Sequence, residues 1–142
     1  MDNLIDIFSG NYGLEREAAS ELIRRMERMS FRKGEIVVNC GAFDDSLYIL
    51  ESGIWSGAKS ASFGDAVVWF AFGGEAVVDI FCYNTQRPSK ITIMAETDCI
   101  AWRISKMRVD KLCDTSLGIA NAIRKVFETN ACHFEDEVIW MA

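Results

Sequence analysis

Histidine is nearly absent from this chain: among 142 residues only His133 is one. A triad-type hydrolase or a histidine-ligated metal would have to rest on that single residue. Paired cysteines are missing too. Cys40, Cys82, Cys99, Cys113 and Cys132 are odd in number and widely spaced, with no Cys-x-x-Cys. That pattern argues against a disulfide framework, a zinc ribbon and an iron–sulfur sensor, and fits reduced, mostly buried thiols. Cys132 and His133 are neighbours, but adjacent helical residues point about 100° apart, so they make a poor joint site. No apolar run approaches the roughly 18 residues of a membrane helix. The N-terminus, Met1-Asp-Asn-Leu-Ile-Asp, lacks the basic region of a secretory signal. We read the chain as cytoplasmic and away from membranes. Excess positive charge is also lacking, the net charge being −6, which disfavours nucleic-acid binding by this chain alone. Its basic clusters, Arg24-Arg25 with Arg28, Arg32-Lys33 and Arg103 to Lys111, are short and read as solvated faces.

What is present fits one soluble domain with one core. Leu14, Ala18, Leu22, Met26 and Met29 form an apolar stripe that predicts a helix over 14–29. Leu4 to Phe8 reads as a short helical turn ended by Gly10 and Gly13. The next stretch changes period. Short apolar runs (Ile36–Val38, Leu47–Leu50, Ile54-Trp55, Ala66–Phe72, Thr92–Met94, Ile100–Ile104) alternate with glycine or acidic turns. This predicts a β-sandwich or barrel. Val67–Phe72 is apolar throughout and is expected to be covered on both faces. Within it, Phe70 and Phe72 share one face and Trp69 takes the other.

Helical periodicity returns after residue 105. Ser105 is an N-cap candidate for a helix over Lys106–Cys113, and Asp114-Thr115-Ser116 offers caps for a longer one over about 116–140. Leu117, Ala120, Ile123, Phe127, Ala131, Phe134, Val138 and Met141 recur at steps of three and four. That spacing approaches a coiled-coil seam. Packing on the chain's own barrel and a dimer helix are both open, and the length favours the dimer, with Ile123, Phe127, Ala131, Phe134 and Val138 as its candidates. The seam is expected to continue beyond the last residue.

The order of helix, glycine-punctuated roll, short helix and long helix resembles the sensor half of the Crp/Fnr (catabolite-activator) superfamily of transcription regulators, the cyclic-nucleotide-binding domain. Phe31-Arg-Lys-Gly34-Glu35, Cys40-Gly41, Asp45-Ser-Leu-Tyr48-Ile-Leu-Glu-Ser-Gly53 and Met94-Ala-Glu-Thr97-Asp-Cys99 carry the resemblance in order. It implies a mainly β fold with flanking helices, a jelly roll followed by a long dimerisation helix. The expected divisions are an N-terminal helical segment at 1–30, a roll at 31–105 and the two helices at 106–142. The resemblance also implies a phosphate-binding cassette: Gly-Glu opening a short helix, with an Arg followed by Ser or Thr about ten residues on.

Two placements of that cassette compete. Gly74-Glu75 supplies the pair, but Ser89 then lies fourteen residues beyond Glu75 and needs an insertion. Anchoring on Ala95 without gaps puts the pair on Val78-Asp79, with Ser89 at the arginine position and Lys90 at the Ser/Thr position. We favour the second, in which the cassette is degraded. Val78 replaces glycine, Asp79 is a methylene shorter than Glu, and Ser89 makes no bidentate charged contact; Lys90 or Arg87 places a positive charge nearby, but as a point charge or from a different direction. Cyclic AMP is therefore expected to bind weakly or not at all. Asp79, Glu75, Ser89 and Lys90 either bind another small polar ligand or satisfy one another. The implied function is effector sensing and homodimerisation in a Crp/Fnr-type regulator, with an unidentified effector, no metal, and DNA read only by a winged helix outside this chain. The alternatives are a ligand-free dimerisation module and, less favoured, a metal-dependent cupin-type enzyme, which needs clustered His and carboxylate ligands.

Overall fold

A computed structural model describes residues 2–61 and 64–141; for Asp2, Ser60, Ala61, Gly64 and residues 133–141 it describes the backbone only. Helix α1 spans Asp2–Tyr12. It is longer than the sequence suggested, because Leu4, Phe8 and Tyr12 recur every four residues and all are buried. The helix runs through Gly10, and Gly13 follows it in the left-handed region at φ 67°. Helix α2, Arg16–Arg24, buries Ala19, Leu22 and Ile23.

The single helix expected over 14–29 is corrected here. The chain leaves the helix at Arg25, and strand β1, Glu27–Phe31, begins inside the segment read as helical. Met26 and Met29 sit at helical spacing, but Met26 joins one core and Met29 packs against another. The ladder to strand β8, Cys99–Ile104, takes the backbone, pairing Glu27 with Arg103 and Phe31 with Cys99. Arg108 Nη1 donates to the Arg25 carbonyl at 3.3 Å, satisfying one acceptor that the ended helix leaves open.

The remaining strands are β2 (Ile36–Val38), β3 (Leu47–Ser52), β4 (Ile54–Ala61), β5 (Gly64–Phe72), β6 (Ala76–Val78) and β7 (Thr92–Ala95). Helix α3 is Ile80–Thr85, α4 is Lys106–Thr115 and α5 is Leu117–Met141. Two four-stranded antiparallel sheets, ordered β1-β8-β3-β6 and β2-β7-β4-β5, form the roll. Between the sheets, Trp55 is fully buried and meets Phe31 and Tyr48 edge-on at 5.7 and 5.2 Å. Its indole N–H donates to Cys99 Sγ at 3.0 Å.

The other face of the first sheet carries the helices. Leu47, Ile49, Ala76, Val78 and Ile104 join α1, α2, α4 and α5 in one core. Ser105 caps α4 as expected, and Ser116 Oγ accepts from Ile119 N at 3.2 Å in the first turn of α5. Strand β5 departs from expectation: it is the edge of its sheet, and Val67, Phe70 and Phe72 are half exposed. Among its described residues only Ala71 is fully covered, because the helices lie over the other sheet. The cysteines also differ from a mostly buried set, with Cys40 and Cys132 exposed, Cys113 half-buried, and all free.

The first half of α5 is part of this chain's own core, with Ile119, Ala122, Ile123 and Val126 buried and Leu117 exposed. Phe127 packs against Tyr83 with ring centroids 5.0 Å apart. Ile123 and Phe127, taken as dimer candidates, therefore have intramolecular partners. The reason is that the buried stripe runs through Ile119, Ala122 and Val126, one position off the expected seam. Ala131 is exposed, while the side chains of Phe134 and Val138 lie outside the described residues.

Two substitutions test this packing. Gly53 turns β3 into β4 at φ 96°, and a Cβ there would lie 2.4 Å from Cys99 Cβ and 2.7 Å from the Asp98 carbonyl. Gly53→Ala is expected to cost about 2–4 kcal/mol in urea denaturation. Gly10→Ala, in open space on α1, is expected to stabilise by about 0.5–1 kcal/mol.

Alkali should also loosen the fold. Burial pushes the thiols of Cys82 and Cys99 above their ordinary value of 9.0, and the phenols of Tyr48 and Tyr83 above 10.0. At Tyr48 the hydrogen bond to the Asp44 carboxylate adds to the effect. These groups ionise first in the unfolded chain, so that state binds fewer protons once pH passes the ordinary values, and stability falls. The urea midpoint is expected to hold below about pH 8 and to drop between about pH 9 and 11.

Candidate ligand-binding site

The two placements of the Gly-Glu pair occupy different structures. Gly74 and Glu75 form the turn between β5 and β6. Gly74 needs its φ of 97°, and its N–H donates to the Leu50 carbonyl at 2.7 Å. Glu75 closes the turn on itself, with Oε1 accepting from Phe72 N at 3.2 Å. Asn11 of α1 donates to the Gly74 carbonyl at 2.7 Å.

Val78 and Asp79 stand at the start of α3. Asp79 is its N-cap, with Oδ1 accepting from Cys82 N at 3.1 Å. Its other oxygen, Oδ2, accepts from the hydroxyl of Ser89, ten residues on. Both residues are buried. Ser89 Oγ also accepts from Ile91 N at 3.2 Å. The Ser89 backbone is tied to the loop after β2, its N–H donating to Ala42 O at 2.8 Å and its carbonyl accepting from Gly41 N at 2.7 Å. Of the four residues expected either to bind a ligand or to satisfy one another, Asp79 and Ser89 bond to each other, while Glu75 bonds to Phe72 N and Lys90 stands over the Phe81 ring.

Beside this pair lies a cavity of about 320 Å³ between β5, the β6–α3 segment and α5. Glu75, Val78, Asp79 and Lys90 border it; Arg87 and Ser89 do not. Lys90 Nζ sits 4.3 Å from the centroid of the Phe81 ring. Trp69 and Phe70 line the cavity and Phe72 does not. The indole of Trp69 lies against Gly57 on β4, where a Cβ would fall 2.3 Å from a ring carbon. A bulge next to that contact, where Gly57 pairs with Trp69 and Ala58 with Val67, passes over Val68.

Sequence reasoning missed the parts supplied from far along the chain. Tyr12, on α1, accepts from Ala76 N at 2.8 Å through its hydroxyl, and burial raises its pKa. Asn130, on α5, donates to the Ala76 carbonyl at 3.3 Å and to Val126 O at 3.0 Å. Both border the cavity, as do Thr129 and Phe81. Only the polar character of Asn130 within the apolar period of α5 hinted at a role. Among the described residues no three of His, Cys, Asp and Glu gather as a metal site.

Ser89→Ala would leave a buried Asp79 oxygen without its donor. Urea denaturation is expected to show a loss of about 1–3 kcal/mol. An unchanged midpoint would mean that the pair is not formed.

No curated protein matches this sequence. Solved structures do match in fold. A cyclic nucleotide-binding domain from Methylobacillus flagellatus is 12% identical with TM-score 0.81, over 96% of this chain and 79% of that one. The N-terminal domain of a transcriptional regulator from Streptomyces coelicolor is 16% identical with TM-score 0.71, over 96% of each chain. The c-di-GMP-responsive global regulator CLP of Xanthomonas campestris is 17% identical with TM-score 0.76, over 87% of this chain and 61% of that one. The family model for the cyclic nucleotide-binding domain matches residues 28–116. With the jelly roll, the short helix after β6 and the long helix behind it, that match covers most of the chain, which belongs to the cyclic nucleotide-binding domain family.

Proposed function

We propose that the chain is the effector-sensing domain of a Crp/Fnr-type transcription regulator, working in the cytoplasm, whose roll no longer takes cyclic AMP. It is a binding module and not an enzyme. The observation that carries this reading is the closed pair of Asp79 and Ser89. The carboxylate that would meet a ribose hydroxyl is already engaged, and the position that would supply an arginine is a serine bonded to it. The Cys82 amide in the first turn of α3 is also occupied, by Asp79 Oδ1. Losing a charged partner to a buried phosphate costs about 2–5 kcal/mol, roughly 30- to 4,000-fold in affinity.

A cavity of about 320 Å³ nevertheless stays beside the degraded cassette, so the roll keeps room for an effector. The c-di-GMP-responsive regulator of Xanthomonas campestris shares the fold, which supports sensing of something other than cyclic AMP. Homodimerisation falls to the C-terminal part of α5, where Ala131 is exposed and Phe134 and Val138 continue the apolar spacing. DNA is read by a separate winged helix of the kind such regulators carry.

Isothermal titration with cyclic AMP and cyclic GMP tests the reading. No heat at millimolar nucleotide is expected. Micromolar binding would overturn it and make Glu75, Lys90 or Arg87 part of a working phosphate site.

A further inference from the structure

Among the described residues, the cavity beside α3 has one cation at its border. Lys90 stands over the Phe81 ring and forms no ion pair. The two carboxylates that border the same space are committed to protein donors, Glu75 to Phe72 N and Asp79 to Cys82 N and Ser89. The rest of the wall is largely carbon, supplied by Trp69, Phe70, Val77, Val78, Ile80 and Ile91. Gly57 holds open the place of the Trp69 indole, since any Cβ there would collide with it.

Each part of this lining restricts what can enter. A nucleotide would press ribose hydroxyls and ring nitrogens against carbon, and buried polar groups without partners are costly. A cation would meet Lys90. A dianion would bring its second charge towards Glu75 and Asp79. A neutral apolar molecule would make no use of the cation, which is exposed to water at the rim. An apolar body with one acidic group matches the carbon wall and the cation together. Its carbon skeleton lies on the aromatic wall, and its carboxylate meets Lys90 in a charge-assisted hydrogen bond.

We propose that this cavity binds a small hydrophobic monocarboxylate, an aryl- or alkyl-substituted acid, with its carboxylate on Lys90 and its apolar body between Trp69 and Phe81. The inference rests on the effector-sensing reading of the same cavity and names the class of effector. Thr129 and Asn130 of α5 border the cavity too, so the bound acid touches the long helix as well as the roll.

The intact 142-residue chain serves for the test, with phenylacetate and hexanoate as probes and their neutral amides as controls. Thermal shift and tryptophan fluorescence are the readouts. Both acids are expected to raise Tm with dose and to change the fluorescence saturably, the amides binding at least about tenfold more weakly. Lys90→Gln, at an exposed side chain whose fold is checked by circular dichroism, is expected to weaken the acids about tenfold or more and leave the amides unchanged. Trp69→Phe is expected to remove most of the fluorescence response while a Tm shift persists, which assigns the site. Acids and amides binding equally, undiminished in Lys90→Gln, would overturn carboxylate recognition while the effector site stands. Absence of saturable binding by either acid overturns the inference as well. The wider reading falls with it only if cyclic AMP then binds at micromolar concentration.

Discussion

Strand β3 sends Leu47 and Ile49 to one side and Tyr48 and Leu50 to the other, and all four are buried. The first sheet is thus covered on both faces, by the helices and by the second sheet. Burying each such side chain contributes about 1.5–3 kcal/mol, and the alternation fixes the register, since a slip of one residue would exchange the two sets. Strand β6 pairs with β3 and obeys the same rule, with Ala76 and Val78 facing the helices and Val77 the second sheet. The site is therefore built on the wall of a doubly buried sheet, and Asp79 emerges where that wall ends. Its position is inherited from the strand before it.

Asp79 in turn governs the chemistry of the segment beyond it. One oxygen holds the first turn of α3, and the other holds Ser89. The segment carrying Lys90 is anchored at both ends of this contact, because Ser89 is also bonded through its backbone to the loop after β2. A buried carboxylate satisfied by protein donors costs far less than an empty one. Lys90, the next residue, has no ionic partner among the described residues and borders the cavity. The same geometry that ties Asp79 to Ser89 leaves an aromatic wall with a cation at its rim.

The roll was legible in the sequence because its turns are local. Gly41, Gly53 and Gly74 all adopt positive φ where the punctuation of the apolar runs placed turns. The tie between Asp79 and Ser89 was legible as a spacing of ten residues. The boundary between α2 and β1 was not, because Met26 and Met29 are apolar in either conformation and only the ladder to β8 decides between them. The half-exposed face of β5 was misread because Val67, Phe70 and Phe72 carry no polar residue to mark the outside. Tyr12 and Asn130 were invisible as site residues, since they reach Ala76 across 64 and 54 positions of sequence. On α5, Ile123 and Phe127 pack within the chain, since steps of three and four suit an intramolecular helix as well as a coiled coil.

Ala76 occupies an unusual place in this arrangement. Its N–H is held by the hydroxyl of Tyr12 on α1, and its carbonyl by the amide of Asn130 on α5. One peptide residue therefore works as a yoke between the first helix and the last. Moving that residue towards either helix lengthens the bond to the other, so the cavity wall cannot shift without one of the two helices following. Anything that wedges β6 outward is felt, through a single residue, as a pull on the middle of the long helix or on the first one.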